Sequence, residues 1–111
     1  MGAATVTIQA GLPGGPVMGK YVCASTVSLS YINIGFVPRM VQVINATDKD
    51  VGLTWTNDMT AAHGMTDAGV AVTSGGISTV AQTDGTNHGF SVGTDASVQE
   101  ALKTYNFIAW R

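Results

Sequence analysis

The feature that most constrains this chain is a period of two in its apolar residues. Near the C-terminus Tyr105, Phe107 and Ala109 are interleaved with Asn106, Ile108 and Trp110. A period of two sends successive side chains to opposite faces of a strand. Val27, Leu29 and Tyr31 alternate with Thr26, Ser28 and Ser30, and the run Thr5 to Gln9 behaves the same way. The Val-rich run Met40 to Ile44 ends in Asn45-Ala46-Thr47-Asp48-Lys49-Asp50, a cluster of turn formers. Val51, Leu53 and Trp55 then share one face of another run, so the pair reads as an antiparallel hairpin. Val70 to Thr73 and Ile77 to Ala81 flank Ser74-Gly75-Gly76, a second hairpin signal. Asn57 to Gly69 reads as a loop with small elements, and Phe90-Ser91-Val92 as a further strand. Ala96 to Lys103 is the one stretch with helical propensity. It is either a strand running on to Trp110 or a single helical turn.

Composition agrees with that pattern. Leu occurs only at 12, 29, 53 and 102, and Glu only at 100. Residues that fill ordinary helices are therefore scarce, while Val and Thr, which fit a pleated surface, are abundant. The expectation is an all-β chain: a compact antiparallel β-sandwich, jelly-roll-like, of about seven or eight short strands. Residues 20–111 are assigned to this domain. Residues 1–19 contain GLPGGPVMG and read as an extended Gly/Pro-rich N-terminal arm. Such an arm can add a strand to a neighbouring chain. Its deletion is expected to weaken attachment and leave the domain folded.

Charged residues make up 11% of the chain, against roughly 25% in an ordinary soluble protein. One reading is a surface of Ser, Thr and Asn. The other is a surface covered by partner subunits, since interface cores lose charge in this way. The basic residues Lys20, Arg39, Lys49, Lys103 and Arg111 form no run, which argues against nucleic-acid binding. Cys23 is the only cysteine, so it forms no intrachain disulfide and reads as a small buried hydrophobe. The N-terminus has no basic region followed by an apolar stretch, and no run reaches the length of a membrane span. The expectation is a soluble product made in the cytoplasm, with no membrane partner.

Chemical motifs are few. Gly14-Gly15-Pro16-Val17-Met18-Gly19-Lys20 has the spacing of a phosphate-binding loop, but Tyr21 stands where Ser or Thr must hold Mg²⁺. The run that follows is strand-like, whereas that loop needs a helix. His63 and His88 are the only histidines, and neither has a ligand partner at metal-binding spacing. No nucleophile elbow is present. Trp55, Phe36, Phe90, Tyr105, Phe107 and Trp110 lie on alternating runs, which makes core packing their default role. No catalytic residue, cofactor or metal is assigned.

From Tyr31 onward the chain reads YINIGFVPRMVQVINAT, VGLTW, HGMTDAGVAV, GIS, HGFSVGTDASV and YNFIAWR. This ordered set resembles a recurrent module of tailed-bacteriophage virion proteins. Its parts are a Gly-Phe-x-Pro turn into a Val-rich strand, a Trp strand and a Gly-Met loop. A Gly-Ile hairpin, a Gly-Phe-x-x-Gly-x-Asp corner and an aromatic strand ending in Ala-x-Arg complete it. The chain departs from the module at Ser97 to Lys103, which lacks the usual Asn/Gly-rich turn.

The resemblance implies a virion structural protein and not an enzyme. The expected role is capsid decoration, or cement, on the capsid surface. The protein would bind between capsomers, with the major capsid protein and its own copies, as a homotrimer, as partners. A tail-tip or fibre-head module binding the host surface is the alternative, and a small hydrolase the third reading. The residues expected at the interface are Leu12, Pro13, Pro16, Val17, Met18, Arg39, Trp110 and Arg111.

Overall fold

The computed structural model describes residues 5–9, 15–81 and 88–110. Among these the chain forms nine strands and no helix. They are β1 (Thr5–Gln9), β2 (Val17–Val22), β3 (Ser30–Asn33), β4 (Met40–Asn45), β5 (Gly52–Thr56), β6 (His63–Thr66), β7 (Ala71–Ala81), β8 (His88–Val92) and β9 (Thr104–Trp110). All pair antiparallel in one sheet, ordered β1-β2-β9-β4-β5-β6-β7-β8-β3. The all-β expectation holds, with more strands than expected.

The sheet curls until it nearly closes. Laid flat, nine strands would span about 38 Å, yet the longest dimension of the molecule is 31 Å. β8 and β9 stand five places apart in the sheet. Even so, the rings of Phe90 and Phe107 meet edge to face with centroids 5.3 Å apart. The two curved halves therefore face each other across a single core. Tyr21, Ile32, Val41, Leu53, Ile77, Phe90, Val92, Tyr105 and Phe107 fill it.

A short turn closes one end of that core. Asp95 starts it, its carboxylate accepting from the Ser97 amide at 3.0 Å and its carbonyl from the Gln99 amide at 2.9 Å. Val98 and Gln99 are buried beneath it. The Tyr21 and Tyr105 rings stack 5.5 Å apart, 3° from parallel. Their hydroxyls donate to the carbonyls of Val98 at 2.7 Å and Ala96 at 2.6 Å. Gln99 reaches the other way, its amide donating to Ser28 O at 2.7 Å and Gly93 O at 2.9 Å. Neither alternative for Ala96–Lys103 is found: no strand begins before Thr104 and no helix forms, and the stretch makes hydrogen-bonded turns over residues 96–98 and 101–102, the first held by the Asp95 carboxylate.

Two expectations need correction. The boundary after residue 19 falls inside a strand. β1 and β2 form a hairpin, and β2 pairs with β9 from Val17 to Val22. Gly19, read as a breaker, is where the ladder needs a missing side chain: a Cβ there would come within 2.7 Å of the Phe107 ring. The second correction concerns Ser74-Gly75-Gly76, which does not reverse the chain. β7 runs through it as one strand, bulging between its pairings with Gly64 at Val72 and with His63 at Ile77. Gly75 takes φ 75°, and Gly76 lies where a Cβ would crowd the carbonyls of Ala62 and His63. The glycines absorb a bulge because β6 and β8 hold the strand on both sides.

Two outcomes follow from this architecture. Deleting residues 1–19 removes β1 and half of β2 and uncovers Phe107, so it should cost about 3 kcal/mol or more, a large share of a domain's margin. Urea unfolding of the truncated chain measures this, and an unchanged midpoint would contradict the role given to the hairpin. The second outcome is a loss of stability in alkali. Burial, with Cys23 and Tyr105 nearby, pushes the Tyr21 phenol well above its ordinary pKa of 10.0. Burial, with the charge of Glu100, raises Tyr105 as well. Above about pH 10 the unfolded chain releases protons that the folded chain keeps, so stability falls as pH climbs from there. Below that range these two groups contribute no slope. Thermal midpoints across alkaline pH, compared with Tyr21→Phe, report the effect.

Candidate functional site

The sheet alternation that fills the core also determines what faces outward. On β9, Tyr105, Phe107 and Ala109 point in, and Asn106, Ile108 and Trp110 point out. Met18 pairs with Ile108, which pairs on its other side with Gln42, which in turn pairs with Thr54. One outward row therefore crosses β2, β9, β4 and β5. The next row carries Lys20, Asn106, Ile44 and Gly52. Beyond the first row lie Met40 and Trp110, paired with each other.

These rows form the floor of a groove of about 460 Å³. Met18, Ile44 and Ile108 supply its apolar surface, and Gly52 leaves a notch beside Ile44. A Cβ on Gly52 would press on the Val43 carbonyl at 2.7 Å, so glycine is needed there for packing. Polar groups are sparse: the Gln42 amide, held by a 3.2 Å bond to the Thr54 hydroxyl, and Asn106. The two charges stand at opposite sides, Lys20 on β2 and Asp67 in the turn between β6 and β7. Thr66 shapes that turn, accepting from Gly69 N through its carbonyl at 2.9 Å and from Val70 N through its hydroxyl at 3.0 Å. Met18 and Ile44 are 48% and 47% exposed, so about half of each side chain is open to a partner.

The residues expected at an interface divide. Leu12, Pro13 and Arg111 lie outside the described residues. Met18 and Trp110 stand on the outward face just described. Arg39 is exposed beside it, its amide donating to the Trp110 carbonyl at 2.8 Å. Pro16 is exposed at the foot of β2. Val17 instead packs partly against the core. Sequence reasoning missed Ile44, Ile108, Lys20 and Asp67. The signal for the first two was present: they fall out of phase with the buried aromatics and valines of their own strands.

Nothing comparable assembles around the histidines. His63 pairs with Ile77, and His88 with Ala81, on opposite sides of β7. Two strand spacings across and four residues along place them roughly 16 Å apart. No group of three His, Cys, Asp or Glu among the described residues is placed to hold a metal ion. Lys20 of the loop-like glycine motif lies in β2, not at a helix. Cys23 is buried, and burial raises its thiol pKa and keeps it in the unreactive form. Trp55, Phe36, Phe90, Tyr105 and Phe107 are core residues, and Trp110 alone of the aromatic set is left partly on the surface. Comparison with protein-family models, curated proteins and solved structures finds no match.

A substitution in the groove should separate surface from core. Ile44→Glu places a charge in solvent and should cost under about 1 kcal/mol, as exposed positions do. Phe107→Ala opens the core and should cost about 3–5 kcal/mol. Chemical denaturation of both variants measures the difference.

Proposed function

We propose that this chain is a structural subunit of a tailed-phage virion, a capsid decoration or cement protein that binds between capsomers. The observation that carries the proposal is the groove face of β2, β9, β4 and β5. Met18, Ile44 and Ile108 stand in adjoining outward rows of a rigid sheet, with Trp110 beyond them and charge confined to Lys20 and Asp67 at the sides. A face with an apolar, charge-poor centre and a polar rim has the composition of an interface. The low charge of the whole chain and the resemblance of its last eighty or so residues to virion modules point the same way.

The mechanism is mass action. A protein that binds the assembled shell and not its separated subunits stabilises the shell by an amount that grows with its concentration. A sheet face suits this work because ladder hydrogen bonds hold it in one shape before binding. Little conformational entropy is then lost on docking. Copies of the chain, as a trimer, would place several such faces around one symmetry position.

Quantitative mass spectrometry of purified virions tests the reading. A decoration protein should be present at a copy number comparable to the major capsid protein, and the Ile44→Glu/Ile108→Glu double variant should occupy shells at least tenfold less. A handful of copies per particle would favour the tail-tip or fibre-head alternative. Absence from particles would remove the proposal.

A further inference from the structure

At the end of β4, Asn45 is fully buried, with 0% of its surface exposed. Each polar atom of its amide has a partner of particular chemistry. Its Oδ1 accepts from the Asp48 backbone amide at 2.9 Å. Its Nδ2 donates to Glu100 Oε2 at 2.9 Å and to Asp48 Oδ2 at 3.3 Å. The other oxygen of Asp48 holds the Lys103 ammonium at 3.2 Å. An amine and a buried amide thus share one carboxylate, with a second carboxylate on the far side of the amide.

The surrounding backbone holds these groups in register. Ala46 N donates to Thr104 O at 2.8 Å, and Thr104 N to the Thr47 hydroxyl at 2.9 Å. The turn that presents Glu100 and Lys103 closes through Lys103 N to Glu100 O at 3.1 Å, with Leu102 at φ 65°. A side chain capping the turn that it opens explains the bond to Asn45 Oδ1 from Asp48 N, three residues on. It does not explain why a separate loop brings a carboxylate to the amide nitrogen and an amine to the same Asp48.

We propose that Lys103 and Asn45 form an intramolecular isopeptide bond. Lys103 Nζ stands on Asp48, the same carboxylate that Asn45 Nδ2 meets through its other oxygen, and the reaction requires Nζ to move from Asp48 onto Asn45 Cγ. Asp48 takes one proton from the ammonium, and the nitrogen attacks the amide carbon. The Asp48 backbone N–H already points at the oxygen on which negative charge develops. Glu100 takes the second proton as the Nζ–Cγ bond forms. Both carboxylic acids then deliver their protons to Nδ2, which already faces them both. The Cγ–Nδ2 bond breaks and ammonium leaves. One ammonium and one primary amide become one secondary amide and one ammonium ion, with no oxidant or cofactor. The product ties the end of β4 to the start of β9 and closes a long covalent loop, which restricts the unfolded chain as a disulfide does.

Intact mass spectrometry of the full-length chain under denaturing conditions decides the matter. The expected mass is lighter by one ammonia than the sequence mass after N-terminal processing. Tandem spectra should show a branched peptide joining Asn45 to Lys103. Lys103→Arg keeps the charge beside Asp48 without a competent nucleophile and should retain the full mass. Glu100→Gln keeps a partner for the amide but cannot relay the proton, and should also stay unreacted. A wild-type chain at its full sequence mass overturns the proposal. So does an ammonia loss that persists in Lys103→Arg, which would mark a backbone succinimide at Asn45 instead. Undiminished reaction in Glu100→Gln would overturn the role given to that carboxylate.

Discussion

The structure depends on where its last strand goes. β9 is inserted between β2 and β4 and pairs with both along nearly its whole length. Without it the N-terminal hairpin has no partner, and the run of strands from β4 to β8 ends in an open edge. With it, Phe107 faces Phe90 from the opposite half of the sheet, and Tyr105 stacks on Tyr21. One strand therefore supplies both the ladder that joins the chain's two ends and the aromatic contacts that hold the curl. Such a fold is rich in contacts between distant parts of the sequence, and it cannot be completed until the C-terminal residues are available.

The same strand links core and surface. Because side chains alternate, a position buried on β9 obliges its neighbour to face out. Phe107 inward entails Ile108 outward, and Val43 inward entails Ile44 outward. An apolar outward residue next to an apolar inward one gains nothing from the fold itself. Its presence asks for a second apolar surface, and the groove gathers several such residues on adjoining strands. Isolated exposed apolar side chains need no explanation. A contiguous group on a rigid sheet does.

Legibility in the sequence followed the same physics. β4, β5 and β9 could be read because Val41 and Val43, Leu53 and Trp55, and Tyr105, Phe107 and Ala109 recur at every second position, and because the turn between β4 and β5 is built from Asn, Asp and Lys. Two glycine-rich segments misled for one shared reason. Gly19 and Gly75-Gly76 are locally indistinguishable from turn formers, and only the neighbours show whether glycine is there to bend the chain or to let another strand approach. At Gly19 the neighbour is Phe107, far along the sequence. At Gly76 it is the backbone of Ala62 and His63. The turn at Asp95 was not legible: the sequence offered a strand or a helical turn there, and the acceptor role of the Asp95 side chain, which holds the stretch in a non-helical turn, was not visible. The groove was the least legible feature, because Lys20 and Asp67 become its two sides only through the order in which the strands pair.

The polar groups inside the fold show a division of labour. Tyr21 and Tyr105 spend their hydroxyls on backbone carbonyls of the turn that seals the core, and Gln99 donates to the carbonyls of Ser28 and Gly93 while its buried Oε1 has no hydrogen-bond partner among the described residues. Asn45 differs. It is as deeply buried, but it meets charged side chains, at the point where β4 stops pairing with β9 and the chain turns away. Of the carboxylates it touches, Asp48 is matched by the single ammonium of Lys103, and Glu100 is left to lean on the amide. A hydrogen-bonded amide can satisfy one such group at modest gain, whereas two carboxylates converging on one nitrogen are held there by the surrounding backbone, not by mutual attraction. The sheet thus gathers a buried amide, two carboxylates and an ammonium where its own ladder ends.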